Sequence, residues 1–377
     1  MYWQHEYLRE AATMTRGQTY RIDLPETGLL SALVCEISAD AASGYGLSGG
    51  DWRLMDKLGL VEVIGNGATV IKSLQFNALQ FFAWLHQGVV PPHFWRNYAT
   101  NTQFEYMVIL FGRTMKDPDY GLDLSRWDNV ELRITNDAAA ADHGTDLSID
   151  IKQILLREGP GSFRGYLRSE TWREWTTVTD ETKYHTLPVE FPISTLALQC
   201  IPAVDGTTFI ADTSPANLAD DIDFKLKGGT RQVFKGGLDH LMVENYLERG
   251  ANVIMGGQAD LTADRGVVGD VGRSWLRAGI SGSKDGAVSS TIPTIIADNT
   301  DFTVSFEARE ADSPVEFVKF GMLPFEIAWL WHNHMLDPQL MLNPQADGPV
   351  EVNVHTRNAA TADNGTNRLI LERLVAG

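Results

Sequence analysis

The sequence predicts an all-β protein built from two tandem antiparallel β-sandwiches, with a few short helices. Three observations lead to this prediction. Apolar and polar residues alternate in many short segments, turn-forming residues separate those segments, and the second half of the chain repeats features of the first. A chain of 377 residues, of which 44% are hydrophobic, is long enough to bury two cores of this kind.

Strict alternation marks six candidate strands. They are residues 104–110, 130–134, 147–151, 222–227, 302–307 and 350–354. Successive side chains of a strand point to opposite faces of its sheet, so this pattern indicates one buried face and one face in water. Turn signals such as GNG at 65–67 and DPDYG at 117–121 separate the apolar segments. Helical periodicity is confined to short stretches, best seen at 74–87 and 237–249.

Internal repetition indicates a duplicated domain. Residues 24–34 resemble residues 187–197 at a shift of 163 positions, and residues 130–151 resemble residues 350–371 at a shift of about 220. Because the shift grows between these two matches, the second copy must carry extra residues between them.

We therefore divide the chain into an N-terminal arm (1–18), a first sandwich (19–182) and a second sandwich (183–377). The extra residues of the second copy fall at 250–300, a Gly-rich stretch with weak periodicity. A long irregular segment in a compact domain is usually a functional surface loop, so we expect a long loop insertion here.

Composition narrows the function classes. The chain has 49 acidic and 31 basic residues and a formal net charge of −18, which repels phosphate backbones, so direct binding of nucleic acid is not expected. Cys35 and Cys200 lie in apolar runs and are predicted to be buried thiols without a disulfide. The N-terminus lacks the pattern of a secretory signal, and the apolar runs are too short for a membrane span.

Two motifs resemble chemical sites but lack the required context. Residues 44–49 read G-x-G-x-x-G, but the segment before the next strand is too short for the crossover helix of a dinucleotide-binding fold. His332 and His334 could share one side of a strand, but the carboxylate and further histidine of a jelly-roll metal site do not follow. We therefore assign no catalytic, cofactor-binding or metal-binding residue, and we do not expect an enzyme.

The N-terminal arm is the best candidate for a contact with other molecules. On a helix, Trp3, Tyr7, Ala11 and Met14 would fall at near-heptad spacing. One interpretation is an amphipathic anchor against a membrane or a neighbouring subunit, in which Trp3, Tyr7 and Met14 make the assembly contact. The alternative is a helix packed on its own sandwich.

A carbohydrate-binding tandem sandwich is the alternative function. It requires an exposed aromatic platform, which Trp172 with Trp175, or Trp329 with Trp331, could supply. Residues two apart on a strand share a face, so the second pair fits this requirement better.

The order of segments resembles the double jelly-roll major capsid proteins of tailless icosahedral viruses, many of which enclose a membrane. The segment FGRTMKDPDYGLDLSRWDNVELRIT at 111–135, with a strand, an acidic turn and a GLDL lead-in to the next strand, carries most of this resemblance. The resemblance implies two jelly rolls. It also implies a homotrimer that forms a pseudo-hexameric capsomer, and a location in the virion after synthesis in the host cytoplasm. Neighbouring capsomers are the implied partners, and the family pattern also allows penton or minor capsid proteins and an internal membrane.

Overall fold

The computed structural model describes most of the chain. The described residues are 1–40, 54, 58–97, 102–138, 146–159, 161–202, 204–205, 208–209, 215–249, 253–261, 265–268, 283–284, 293–298, 301–307, 313–321, 324–333, 340–358 and 364–377. The G-x-G-x-x-G segment at 44–49 lies outside them, as does His334.

The first part of the chain forms two facing sheets and one long helix. Its elements are β1 (Tyr2–Met14), β2 (Thr19–Asp23), β3 (Leu29–Asp40), β4 (Leu58–Gly65), β5 (Thr69–Gln75), α1 (Phe76–Gln87), β6 (His93–Asn97), β7 (Thr102–Leu110), β8 (Leu122–Asp123), β9 (Val130–Asn136) and β10 (Leu147–Arg157). One sheet has the order β1-β10-β3-β7 and the other has the order β2-β9-β4-β5. Neighbours within each sheet are antiparallel, and this arrangement of eight strands is a jelly roll.

The second part of the chain contains the same series with additional strands. Its elements are β11 (Gly165–Thr176), β12 (Thr182–Thr186), β13 (Ile193–Ile201), β14 (Val204–Asp205), β15 (Thr208–Phe209), α2 (Pro215–Leu218), β16 (Asp221–Leu226), β17 (Arg231–Gly236), α3 (Leu238–Arg249), β18 (Val253–Leu261), β19 (Arg265–Val268), β20 (Ser283–Lys284), β21 (Pro293–Asp298), β22 (Asp301–Glu307), β23 (Ser313–Gly321), β24 (Ile327–His332), α4 (Pro344–Asp347), β25 (Glu351–His355) and β26 (Thr366–Ala376). The strand orders β11-β26-β13-β24 and β12-β25-β16-β17 form a second jelly roll with the topology of the first.

The predicted duplication is confirmed by the positions of these elements. The strands β1 and β11 begin at residues 2 and 165, and β2 and β12 begin at residues 19 and 182, a shift of 163 residues in both cases. The helices α1 and α3 begin at residues 76 and 238, and the final strands β10 and β26 begin at residues 147 and 366. The predicted helices and the six alternating strands are also confirmed.

The expected domain boundaries differ from those that the strands define. Residues 2–14 are not a helical arm, because β1 pairs with β10 along its length and is the first strand of the first jelly roll. Residues 165–176 fall within the range expected for the first sandwich (19–182), but they form β11, which pairs with β26 and begins the second jelly roll. Strand pairing therefore places the junction between the two jelly rolls near residues 158–164.

The insertion is not a structureless loop. Within 253–321 the described residues form strands, of which β18 pairs with β23 and also runs parallel to β6 of the first jelly roll. Apolar runs that are interrupted by glycine obscured this strand pattern in the sequence. The insertion lies between α3 and β24, the position at which the first jelly roll has only β6 and a short connection.

Each jelly roll encloses its own apolar core, and α1 joins the two. Cys35 lies in the first core and Cys200 in the second, and both are buried free thiols, as predicted. Burial raises the pKa of Cys35 to about 12, so its thiol stays protonated at neutral pH. None of the helices in the described residues has the length and apolar character needed to cross a membrane.

Candidate functional site

Helix α1 belongs to the first jelly roll but packs against the second. The rings of Phe81 and Trp84 lie with their centroids 6.4 and 5.9 Å from that of Trp329 in β24. Ile327 and Ile370 of the second jelly roll belong to the same buried cluster. Large aromatic side chains bury much apolar area, so this contact fixes one jelly roll against the other.

The sheets of the two jelly rolls also join edge to edge. Strand β5 of the first runs parallel to β11 of the second, with Lys72 opposite Ser169 and Ser73 opposite Glu170. The joined sheet contains eight strands in the order β2-β9-β4-β5-β11-β26-β13-β24.

A buried polar network lies directly beneath this junction, centred on the carboxylate of Glu372 in β26. The imidazole of His86 at the end of α1 is 2.8 Å from Glu372 Oε1, and Ser169 Oγ donates to Oε2 at 3.0 Å. Lys72 Nζ in turn donates to Ser169 Oγ at 2.8 Å, and Ser194 Oγ donates to Glu372 Oε1 at 3.2 Å. The network therefore ties the first jelly roll, through Lys72 and His86, to the second.

Electrostatics keep this network charged at neutral pH. Burial alone would raise the pKa of Glu372, but His86, Lys72 and the Ser169 hydroxyl outweigh it and lower that pKa to about 2. Burial lowers the pKa of Lys72 to about 8, although Glu372 opposes this shift. Carboxylate and ammonium are thus both ionised at pH 7, and each compensates the other's loss of water.

The chemistry of this network is structural in the described conformation. A serine between a lysine of lowered pKa and a carboxylate resembles a nucleophile with its base. However, Lys72, Ser169 and Glu372 are each at most 3% exposed, and the hydroxyl of Ser169 is directed to Glu372. A substrate does not reach Ser169 in this arrangement, so the network fixes the two jelly rolls together.

The three predicted assembly residues do not share a face. Met14 is only 1% exposed and lies in the first core, so its predicted role in an external contact is wrong. Trp3 packs on the opposite, outer face of the sheet, and Tyr7 is 48% exposed there with Lys152 Nζ 4.4 Å from its ring centroid. The helical spacing misled because β1 is a strand that contains bulges, with Ala11 at a positive φ of 46°.

The structure also shows what surrounds the tryptophans of the predicted aromatic platform and the histidine motif. Trp329 is 3% exposed between the two jelly rolls, so the pair of Trp329 and Trp331 cannot form a carbohydrate platform. Trp172 and Trp175 are partly buried against the second core. His332 lies 2.9 Å from Thr195 Oγ1 through Nδ1, and no cluster of three metal-ligating side chains occurs among the described residues.

Sequence comparisons identify no relatives. No family model matches the chain, and no curated protein matches it.

Comparison with solved structures gives consistent matches. The crystal structure of PBCV-1 VP54, fitted into a cryo-EM reconstruction of the virophage Sputnik, has a TM-score of 0.53 at 10% identity, covering 99% of this chain and 93% of that chain. The quasi-atomic PBCV-1 virus capsid has a TM-score of 0.52 at 10% identity, with coverage of 99% and 93%. The major capsid protein (MCP) of STIV has a TM-score of 0.50 at 12% identity, covering 86% of this chain and 98% of that chain.

These matches extend over both halves of the chain and nearly the full length of the compared proteins, although few residues are identical. They agree with the two identical strand orders found here. The chain has the double jelly-roll fold.

Proposed function

We propose that this chain is the major capsid protein of an icosahedral virus and that it assembles into homotrimers. The observation that carries this proposal is the pair of jelly rolls with one topology, held together by a continuous sheet and a buried ion network. Three such chains present six similar blocks in a ring, which can tile a hexagonal lattice from a single gene product.

The rigid junction supports this role. A subunit of a shell must keep both blocks in a fixed relation, because each lattice contact depends on their spacing. The aromatic contact of α1 and the Glu372 network supply this rigidity without a ligand. Neighbouring capsomers, penton or minor capsid proteins and an internal membrane are the further partners that we propose, with synthesis in the host cytoplasm and function in the virion.

The mass of the purified protein in solution tests the proposal. Each chain has a mass of 41.7 kDa, so light scattering after size exclusion should give about 125 kDa for a trimer. Negative-stain electron microscopy should show discs of hexagonal outline. A stable monomer at micromolar concentration, with no larger assembly in the microscope, contradicts the proposal.

A further inference from the structure

The two jelly rolls carry equivalent elements, but among the described residues only one set of them forms the contact between the jelly rolls. Helix α1 and strand β5 of the first jelly roll pack on the second. The equivalent elements of the second jelly roll are α3 and β17. Among the described residues, β17 pairs with β16 alone and is the outer strand of its sheet.

The burial of the two helices differs on one face only. Aligned from their first residues, α1 and α3 share four buried positions, which face their own jelly rolls: Phe76 and Leu238, Leu79 and Leu241, Gln80 and Met242, Ala83 and Asn245. Five further positions are buried in α1 alone: Ala78, Phe81, Phe82, Trp84 and Leu85. Two of these, Phe81 and Trp84, contact the second jelly roll.

The corresponding face of α3 carries two exposed apolar side chains. Val243 is 42% exposed and Leu247 is 74% exposed, and they occupy the places of Phe81 and Leu85. Their separation by four residues puts them on one side of the helix. Exposed apolar side chains in this arrangement fit a helix that docks on another surface.

Strand β1 provides the surface equivalent to β11. Among the described residues β1 pairs with β10 alone, so it is an outer strand of its sheet in the first jelly roll. The register of the strands makes Glu6 the equivalent of Glu170. Glu6 is opposite Gln153, which pairs on its other side with Leu33 of β3. Glu170 is opposite Leu371, which pairs on its other side with Leu196 of β13, the residue equivalent to Leu33. The outer face beside β1 includes exposed Tyr7.

The two free edges have opposite charges at the same register. Within the chain, Ser73 of β5 is opposite Glu170 of β11. Ser73 lies three residues before α1, and Lys235 lies three residues before α3, so Lys235 is its equivalent. Pairing of β17 with β1 in this register therefore places Lys235 opposite Glu6, and both side chains are exposed. Opposite charges at facing positions favour such a pair of strands.

The two surfaces that would receive a helix, one on each jelly roll, also differ in charge. Ile370 of the second jelly roll, which lies in the cluster with α1, is opposite Ala197 in β13. The equivalent position on the first jelly roll is exposed Lys152, opposite Val34 in β3. Helix α3 correspondingly carries an exposed Glu244 where α1 has an apolar side chain. The first jelly roll thus presents the basic side chain of Lys152 on the proposed receiving face, and α3 presents the acidic side chain of Glu244.

We infer that β17 and α3 of one copy dock on β1 and the outer face of the first jelly roll of a second copy, with Lys235 opposite Glu6. The contact repeats, between chains, the junction that β5 and α1 make within one chain. It is a head-to-tail contact, which gives a closed ring when the rotation between copies closes, and the proposed trimer is such a ring. This inference rests on the proposed function, because the trimer supplies the second copy.

Cysteine cross-linking tests the register. Paired positions on adjacent strands are about 5 Å apart, within the range of Cα distances that a disulfide spans. The variant Glu6→Cys/Lys235→Cys should form covalent trimers on mild oxidation, visible on a non-reducing gel and reversed by dithiothreitol. Glu6→Cys/Arg231→Cys is the matched control, because Arg231 is exposed on the same strand but four residues, or about 13 Å, away. It should remain monomeric on the gel.

The outcomes separate this inference from the proposed function. A wild-type trimer in solution, with no cross-link in the first variant or an equal cross-link in the control, overturns the inference and leaves the proposed function standing. A wild-type protein that stays monomeric overturns both.

A second variant tests the helix. Val243→Asp/Leu247→Asp should lower the trimer association constant at least tenfold while the circular dichroism spectrum is retained. Val189→Asp/Leu340→Asp changes two exposed apolar side chains that lie outside the proposed contact, and it should remain trimeric. Equal dissociation of both variants, or of neither, contradicts the docking of α3.

Discussion

Replacement of Glu372 by glutamine tests the buried network most directly. Glutamine keeps the size of the side chain and removes its charge, so Lys72 and His86 lose their common anion. The pKa of Glu372 is lowered from 4.5 to about 2, and each unit corresponds to about 1.4 kcal/mol. The native interactions of this carboxylate therefore contribute on the order of 3 kcal/mol at pH 7, and we expect Glu372→Gln to lose at least that amount.

Thermal unfolding measures this loss. With an unfolding entropy of about 2 cal/mol/K per residue over 377 residues, a loss of about 3 kcal/mol lowers the melting temperature by about 4 °C if the two jelly rolls unfold together. Glu174→Gln is the control. Glu174 accepts a hydrogen bond from Arg368 at 2.6 Å but is exposed, so its replacement should cost less than about 1 kcal/mol.

The pH dependence gives a second measure of the same network. A carboxyl group whose pKa is lowered on folding stabilises the native state above its unfolded pKa, here 4.5, and loses this effect as the pH falls towards 2. The difference in stability between wild type and Glu372→Gln should thus shrink as the pH falls below 4.5. Equal melting temperatures at pH 7, or a difference that persists unchanged at pH 2.5, would refute the assignment of charge to this network.

Three further predictions concern the turns and the surface charge. Gly65→Ala should cost about 1–3 kcal/mol in urea denaturation, because a Cβ there would lie 2.2 Å from Trp127 Cε3, whereas Gly161→Ala, with nothing within 4 Å, should be neutral. Asp117→Asn should lower the free energy of unfolding by about 2 kcal/mol, because it breaks the paired hydrogen bonds of 2.7 Å from Arg113 to this buried carboxylate; an unchanged melting curve would contradict this. Raising the ionic strength from about 0.1 to about 1 M should favour assemblies larger than the trimer in sedimentation, because it shortens the screening length from about 10 to about 3 Å and each chain carries −18; dissociation at high salt would be the opposite result.

The sequence predicted most of the fold because each jelly roll is built from strands that are half buried. Alternation at 130–134 and 350–354 shows directly in the sequence, and so does the repeat that links them. Strand β1 was missed because Trp3, Tyr7 and Met14 also fit a helical period, and its bulges break the alternation that would have revealed a strand.

The network could not be found by the same reasoning. Glu372 lies 286 residues beyond His86 in the chain, and Lys72, His86 and Glu372 all stand in largely apolar segments without a recognisable motif. A weak signal existed in LILERL at 369–374, where Glu372 falls at a buried position of a strand. A charge in such a place requires a partner, but the partner's identity depends on how the two jelly rolls meet.

The two equivalent junctions should differ in strength, and the difference follows from when each one forms. The junction within the chain forms during folding and stays closed. It can therefore use the large rings of Trp84 and Phe81, whose exposure on a free surface would promote aggregation. The proposed junction between copies must remain open on the free subunit. Its helix carries Val243 in place of Phe81 and the smaller ring of Tyr246 in place of Trp84, and its strand edge carries Lys235. A contact of this composition buries less apolar area, so the trimer should dissociate at denaturant concentrations at which each subunit keeps its two jelly rolls joined.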